Sequence, residues 1–303
     1  SDSETIKRFF IQLSAGYADL ADQVFVPSKG IQQMLIGQGV GSPIAVVPSG
    51  VDTAHFLNGD PKNIRKKFNI PEKAFVAGFA GRLAPEKNLE FLARAVCLFL
   101  QKKEDACFLV VGKGPSEETI RAIFKGQKLE QRLFFTVVLE NEELVNAYQA
   151  MDVFTFTSKS ETQGIALIEA MAAGVPVAAL NACGVNDLVE DGLNGILLSH
   201  ENEKEFSQAL ERIAGMPQEK RKVMSQYALS TAQRYSKDLC AQKALSIYAS
   251  LAATKLSRRQ EMEAILGDSL WAGALRQIRA EWDLVKNMTK AAAGAVIGKT
   301  DGP

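Results

Sequence analysis

Between residues 75 and 198, short apolar runs alternate with helix-length segments, and this alternation is what most limits the folds open to the chain. FVAGFAG reads as a strand ending at Gly81, and PEKNLEFLARAVCLFLQ as the helix after it, with Pro85 in its first turn. CFLVVG is the next strand, PSEETIRAIFKG a helix, RLFFTVV a strand, and NEELVNAYQAM a helix capped by Asn141. VFTFTS, a helix opening near Gly164 and closing at Gly174, and the strand VPVAAL continue the series. Such βα alternation builds an α/β fold with a parallel, doubly wound sheet. Ligands of these sheets bind beyond the carboxyl ends of the strands, where residues 81–87, 112–115 and 158–164 are expected to converge.

The flanks differ. Residues 1–50 read helix (SETIKRFFIQLSAGYADLA), strand (QVFVP), helix (SKGIQQMLIGQG), strand (PIAVVP) and a turn at Ser49 and Gly50, too little for a domain. The expected organisation is therefore a partial N-terminal α/β piece over 1–50, a Rossmann-like domain over 51–235 and a helical extension over 236–303. Helices are expected at 202–214 and 217–234, with KDLCAQKALSIYASLAATKL following. A last helix is expected after Gly267, with Asp268 or Ser269 as N-cap. On it Trp271, Leu275, Ile278, Trp282, Val285 and Met288 form an apolar stripe, flanked by Arg276, Arg279, Lys286 and Lys290. Such a stripe packs on the protein itself or a partner subunit. Its basic flanks make peripheral contact with a membrane surface the second candidate.

The chemistry concentrates in GIALIEAMAAGVPVAAL, where Glu169 is the only charge. An isolated charge in so apolar a segment is expensive to bury without a partner. Eight residues upstream, in the polar loop SKSETQG, stands Glu161. Between them a helix N-terminus presents unpaired N–H groups and partial positive charge, which suits a phosphate. The two carboxylates lie on the order of 10 Å apart if most of the intervening residues are helical. Retaining glycosidases need about 5 Å and inverting ones about 6.5–9.5 Å across one bond. The pair is better suited to reading two hydroxyl-bearing ends of one elongated anionic ligand, the layout of a sugar nucleotide. The plainer alternative makes Glu169 a satisfied buried helix residue and Glu161 a solvated loop acid. Arg82 and Lys87, in GRLAPEKN between a strand end and a helix, offer a planar fork and a mobile point charge to a diphosphate; taken singly they read as surface charges.

Composition closes several alternatives. The 303 residues are 47% hydrophobic and 23% charged with a formal net charge of zero, an ordinary globular balance. Neutrality argues against nucleic-acid binding driven by bulk charge. Cys97, Cys107, Cys183 and Cys240 show no metal-finger spacing and fit a reduced, cytoplasmic compartment. No apolar run reaches the roughly 18 residues of a membrane span, and no signal peptide is visible. GKGPSE after a strand has Glu117 where a dinucleotide fingerprint needs glycine, and GKT near the end has Ala293 where a P-loop needs one. The formal glycosylation sequon at Asn287 lies on an expected helix. Neither a metal nor a cofactor is expected.

Taken together, ADQVFVPSKGIQQML, VVPSGVDTAHF, GFAGRLAPEKNLEFL, FLVVGKGP, NAYQAMDVFTFTS, SETQGIALIEAMAAGVPVAA and VEDGLNGILL closely resemble the C-terminal, donor-binding half of retaining glycosyltransferases. The family is the two-Rossmann-domain (GT-B) type with the E-x7-E motif (family 4, group 1), and the resemblance runs from about Tyr17 to Tyr248. It implies a hexosyltransferase with a nucleotide-sugar donor and an unidentified glycan or glycolipid acceptor. Arg82 and Lys87 would neutralise the donor diphosphate, Glu161 would contact the transferred sugar and Glu169 the ribose. Gly164, Ile165 and Ala166 would face phosphate and sugar, with Thr162 and Gln163 beside them, and Gly81, Gly112 and Gly114 would let the chain approach the nucleotide. The leaving diphosphate would be stabilised electrostatically without a metal. The family's N-terminal domain is mostly missing from this sequence, which makes a partner chain supplying it an expected partner. Val137 stands where the family often has glycine, a change expected to crowd the base-binding edge. The alternatives are a non-catalytic sugar-nucleotide-binding module and a nucleotide-sugar epimerase or phosphorylase of the same architecture.

Overall fold

A computed structural model describes residues 2–266 together with 282, 285–287 and 289. The expected helix after Gly267 and most of its stripe lie outside the described residues. Trp282 and Val285, which lie within them, are exposed.

The chain divides into two compact units. One takes the described residues of Ser1–Val47 and Ala241–Pro303. It holds α1 (Asp2–Ala18), β1 (Val24–Val26), α2 (Lys29–Gly37) and β2 (Ile44–Val46). β1 and β2 pair in parallel, Val24 opposite Ile44, and the Ser28 side chain caps α2 by accepting from the Ile31 N–H. Phe25 meets Tyr248, their ring centroids 5.2 Å apart.

Pro48–Cys240 form the second unit. It opens on α3 (Thr53–Phe56) and α4 (Pro61–Lys67), whose N-caps Asp52 and Asp60 accept from backbone N–H groups. Six strands follow: β3 (Phe75–Ala80), β4 (Ala106–Val111), β5 (Leu133–Thr136), β6 (Val153–Phe156), β7 (Val177–Leu180) and β8 (Gly195–Leu198). All pair in parallel, in the order β5-β4-β3-β6-β7-β8. The helices between them are α5 (Leu89–Lys102), α6 (Glu117–Gly126), α7 (Asn141–Gln149), α8 (Ile165–Ala172), α9 (Glu203–Ala214) and α10 (Gln218–Gln233). α11 (Lys237–Leu266) starts here, its residues from 241 onward belonging to the first unit.

Two apolar layers sandwich the sheet. Phe99, Phe124 and Phe206, from α5, α6 and α9, fill one face, while Tyr148, Ile168 and Ala228, from α7, α8 and α10, fill the other. Each large side chain fully buried in this way contributes about 1.5–3 kcal/mol. The strand order reverses direction at β3 and β6, which are neighbours although three strands apart in sequence numbering. At such a switch point the loops leaving the carboxyl edge part and make a crevice.

Two expected helix starts are corrected. Residues 85–87 are a separate 3-10 turn, and Asn88, left-handed at φ 56°, ends it before α5 begins at Leu89. Asn141 is inside α7 with φ 49°; Glu140 occupies the N-cap, without a side-chain capping bond. β5 also stops at Thr136, short of the two valines expected to prolong it.

Candidate functional site

A cavity of about 580 Å³ opens at the carboxyl edge of β3 and β4. Its floor is apolar, from Ala80, Val111, Val138, Leu139 and Leu144. Gly81, Arg82, Gly112, Ile165, Ala166 and Glu169 also line it, joined by Lys113 and Tyr148. Val137, expected to crowd the base-binding edge, is 73% exposed and is not among the described residues lining the cavity, whereas Val138 is.

Glycine builds two of the walls. Gly112 has φ 132°, and a Cβ there would stand 2.1 Å from the Gly81 carbonyl oxygen. The loops after β3 and β4 are thus pressed together, and the Leu83 N–H donates to the Lys113 carbonyl at 3.0 Å. Gly164, at φ 81°, is the left-handed residue that turns the chain into α8. The free N–H groups of that helix start at the cavity wall formed by Ile165 and Ala166.

Glu161 and Lys87 meet beside this helix start. Lys87 Nζ is 3.1 Å from Glu161 Oε2, the two side chains being 22% and 16% exposed. Glu161 Oε1 accepts from the Thr162 N–H at 3.1 Å and the Gly164 N–H at 3.2 Å. Glu161 is therefore no solvated loop acid; it is held by a cation and by the turn that starts α8. Lys87 is brought to it by a zipper of bonds between the 3-10 turn and the loop after β6. Thr157 Oγ1 donates to the Lys87 carbonyl at 2.9 Å, and the Lys159 N–H to that of Glu86 at 3.1 Å.

Arg82 is an open charge by comparison, its side chain 73% exposed and paired with Glu86. Gln163 is not among the described residues lining the cavity. It is buried, and its amide exchanges two bonds with the Ser49 backbone, at 2.7 and 2.8 Å. Gly114 does not line the cavity either; a Cβ there would stand 2.4 Å from the Leu83 carbonyl oxygen.

Glu169 is the sole carboxylate among the described residues lining the cavity, and it has a partner: Tyr148 Oη donates to Oε2 at 2.7 Å. Burial pushes the Glu169 carboxyl above its ordinary range, and the Tyr148 bond pulls it back in part. The Tyr148 phenol is raised well above its ordinary value, first by burial and then by Glu169. Sequence reasoning missed Tyr148 and Lys113. A signal for the tyrosine existed: a phenol on the apolar face of a helix and a lone carboxylate in an apolar segment each need a buried partner.

Among the described residues, no group of three His, Cys, Asp or Glu side chains is placed to hold a metal ion. No described helix is long and apolar enough to cross a membrane.

Comparison with known proteins places this site in a context. Residues 60–231, more than half of the chain, match the family described as glycosyl transferases group 1. The sulfoquinovosyl transferase of Arabidopsis thaliana is 33% identical over 187 residues, covering 59% of this chain and 35% of its own. The 2-deoxystreptamine glucosyltransferase of Streptomyces kanamyceticus is 30% identical over 218 residues, covering 70% of this chain and 54% of its own. Among solved structures, HepE of Anabaena in complex with UDP aligns with a TM-score of 0.70 at 24% identity, over 76% of this chain and 64% of its own. That likeness is one of fold. The chain spans about a third to just over half of the length of these two curated relatives.

Proposed function

The chain belongs to the glycosyl transferases group 1 family, and on that premise we propose that Pro48–Cys240 bind the nucleoside-diphosphate-sugar donor of a hexosyl transfer that retains anomeric configuration. One observation carries the reading. An apolar cavity holding a single carboxylate adjoins a helix N-terminus, and Arg82, Lys113 and Lys87 stand on the loops around that edge. The apolar floor suits a nucleobase and Glu169 the ribose hydroxyls. Lys87, Arg82 and the N–H groups at Ile165 and Ala166 suit the diphosphate. Glu161, fixed beside Lys87, is then within the region of the transferred sugar.

In such a site, catalysis is chiefly the stabilisation of a leaving diphosphate. Charge develops on the oxygen that parts from the anomeric carbon, and fixed donors aimed there lower the barrier without reorganising. Lys87 and the α8 terminus supply those donors, and Glu161 orients the sugar by accepting from its hydroxyls. The acceptor hydroxyl attacks from the face the diphosphate leaves and gives its proton to the departing phosphate oxygen as the anomeric C–O bond to it breaks, so configuration is kept. Support for a nucleotide-sugar partner comes from the fold neighbours named in complex with UDP and with UDP-glucose.

The test is turnover of UDP-glucose followed by NMR, with water or an added sugar as acceptor. Release of UDP with an α-configured product is expected. A β-configured product, or epimerised sugar nucleotide, would overturn retaining transfer. Binding without turnover would leave a donor-binding module.

A further inference from the structure

We infer that Tyr148 is a positioning residue for the carboxylate of Glu169, fixing its orientation so that the unoccupied oxygen is presented to a vicinal diol. The inference rests on the donor-site reading of Glu169, and it concerns a residue that neither the motif spacing nor the charges pointed to.

The geometry carries it. Tyr148 is on α7 and Glu169 on α8, and both side chains reach the same cavity. Oη to Oε2 is 2.7 Å, the length of a strong O–H···O⁻ bond. The tyrosine cannot swing away: it is 1% exposed, its ring packed 5.6 Å from the rings of both Phe56 and Phe154. A phenol so held gives the carboxylate one fixed donor. A carboxylate accepts at about four lone-pair sites, so those on Oε1 stay open while the rotation of the group is lost. Among the described residues no side chain hydrogen-bonds to Glu169 Oε1, and of those that line the cavity only Arg82 and Lys113 are cationic. Fixing a carboxylate before the ligand arrives removes an ordering cost at binding.

A merely structural tyrosine would support the fold without affecting which sugar the cavity prefers. The experiment therefore measures discrimination. Full chain, wild type, Tyr148→Phe, Glu169→Gln and the double variant are titrated with UDP, 2′-deoxy-UDP and pyrophosphate. Wild type is expected to prefer UDP over its deoxy analogue. Tyr148→Phe should lower that preference by between about twofold and about tenfold, the net worth of one hydrogen bond, and leave pyrophosphate affinity unchanged. In the Glu169→Gln background the same change should have little further effect on the preference.

If Glu169→Gln lowers the preference and Tyr148→Phe does not, the positioning role is wrong and the donor site stands. If Glu169→Gln changes nothing, or wild type binds none of UDP, GDP and ADP (the one that binds, with its 2′-deoxy analogue, replacing the uridine pair in the titrations), the donor-site reading itself falls and takes this inference with it. Should Tyr148→Phe lose pyrophosphate affinity as well, its effect is structural and the inference is overturned.

Discussion

Lys87 and Glu161 are 74 positions apart and share one partly buried ion pair, with Glu161 also accepting two backbone N–H bonds. That arrangement separates the roles of the four charged side chains expected at the site. Lys87 is held close to the α8 terminus, whereas Arg82 is solvent-exposed. Lys87→Ala should therefore weaken UDP by about 1.5–3 kcal/mol, the worth of a charge-assisted contact, and Arg82→Ala by less. Equal losses, or a larger one for Arg82→Ala, would reverse the assignment; titration reads both. Glu169 gives a pH prediction. Its folded-state carboxyl is raised by burial, so the folded chain holds that proton at pH values where the unfolded chain has released it. This contribution to stability is fully present below the ordinary value of 4.5 and is lost as pH rises through the raised one. Urea midpoints of Glu169→Gln against wild type should thus gain on wild type as pH climbs through that window. A constant difference would contradict the shift. Glu169 was legible from sequence as a charge out of place, and Glu161 only through its spacing eight residues upstream in a polar loop. Tyr148 carried a weaker signal, its phenol's need for a buried partner, which does not say which residue that partner is.

The βα series from β3 to β7 was legible because each strand is a short apolar run punctuated by glycine or a polar turn. Where the reading failed, local backbone conformation decided. Pro85 looks like the first turn of α5, but Asn88 takes the left-handed region and splits a 3-10 turn from the helix. That split has a consequence for the site. It lets residues 86 and 87 bond to the loop after β6 and so carries Lys87 to Glu161. Gln163 and Gly114, expected at the ligand, tie loops together in the structure, a role that motif spacing does not encode. The glycine at 112 is the element-scale test. Gly112→Ala would force a Cβ at positive φ against the Gly81 carbonyl. Destabilisation of about 3 kcal/mol or more is expected, read from denaturant unfolding, together with lost nucleotide affinity. A variant as stable as wild type would show that the two loops are not pressed together as described.

At the scale of the molecule, the candidate donor residues all fall within Pro48–Cys240, around one edge of one sheet. A ligand that binds only the folded form stabilises it by mass action. Nucleotide at a hundredfold over its Kd should add about 2.7 kcal/mol, detectable as slower hydrogen exchange in β3 and β4. Unchanged exchange there would place the ligand elsewhere. The doubly wound architecture was readable from alternation alone, and the family from its motifs. The division into two units was less so, because α11 runs without a break from Lys237 through residue 241, so no turn marks the boundary. On the proposed function, this sheet edge is a nucleoside-diphosphate site whose phosphate end is Lys87. Calorimetric titration with UDP, GDP and ADP, run beside Lys87→Ala, tests it most directly. Tight binding of one nucleotide, lost or sharply weakened in the variant, is the predicted result. Binding of none of the three by the wild-type chain, or equal binding by both proteins, would contradict it.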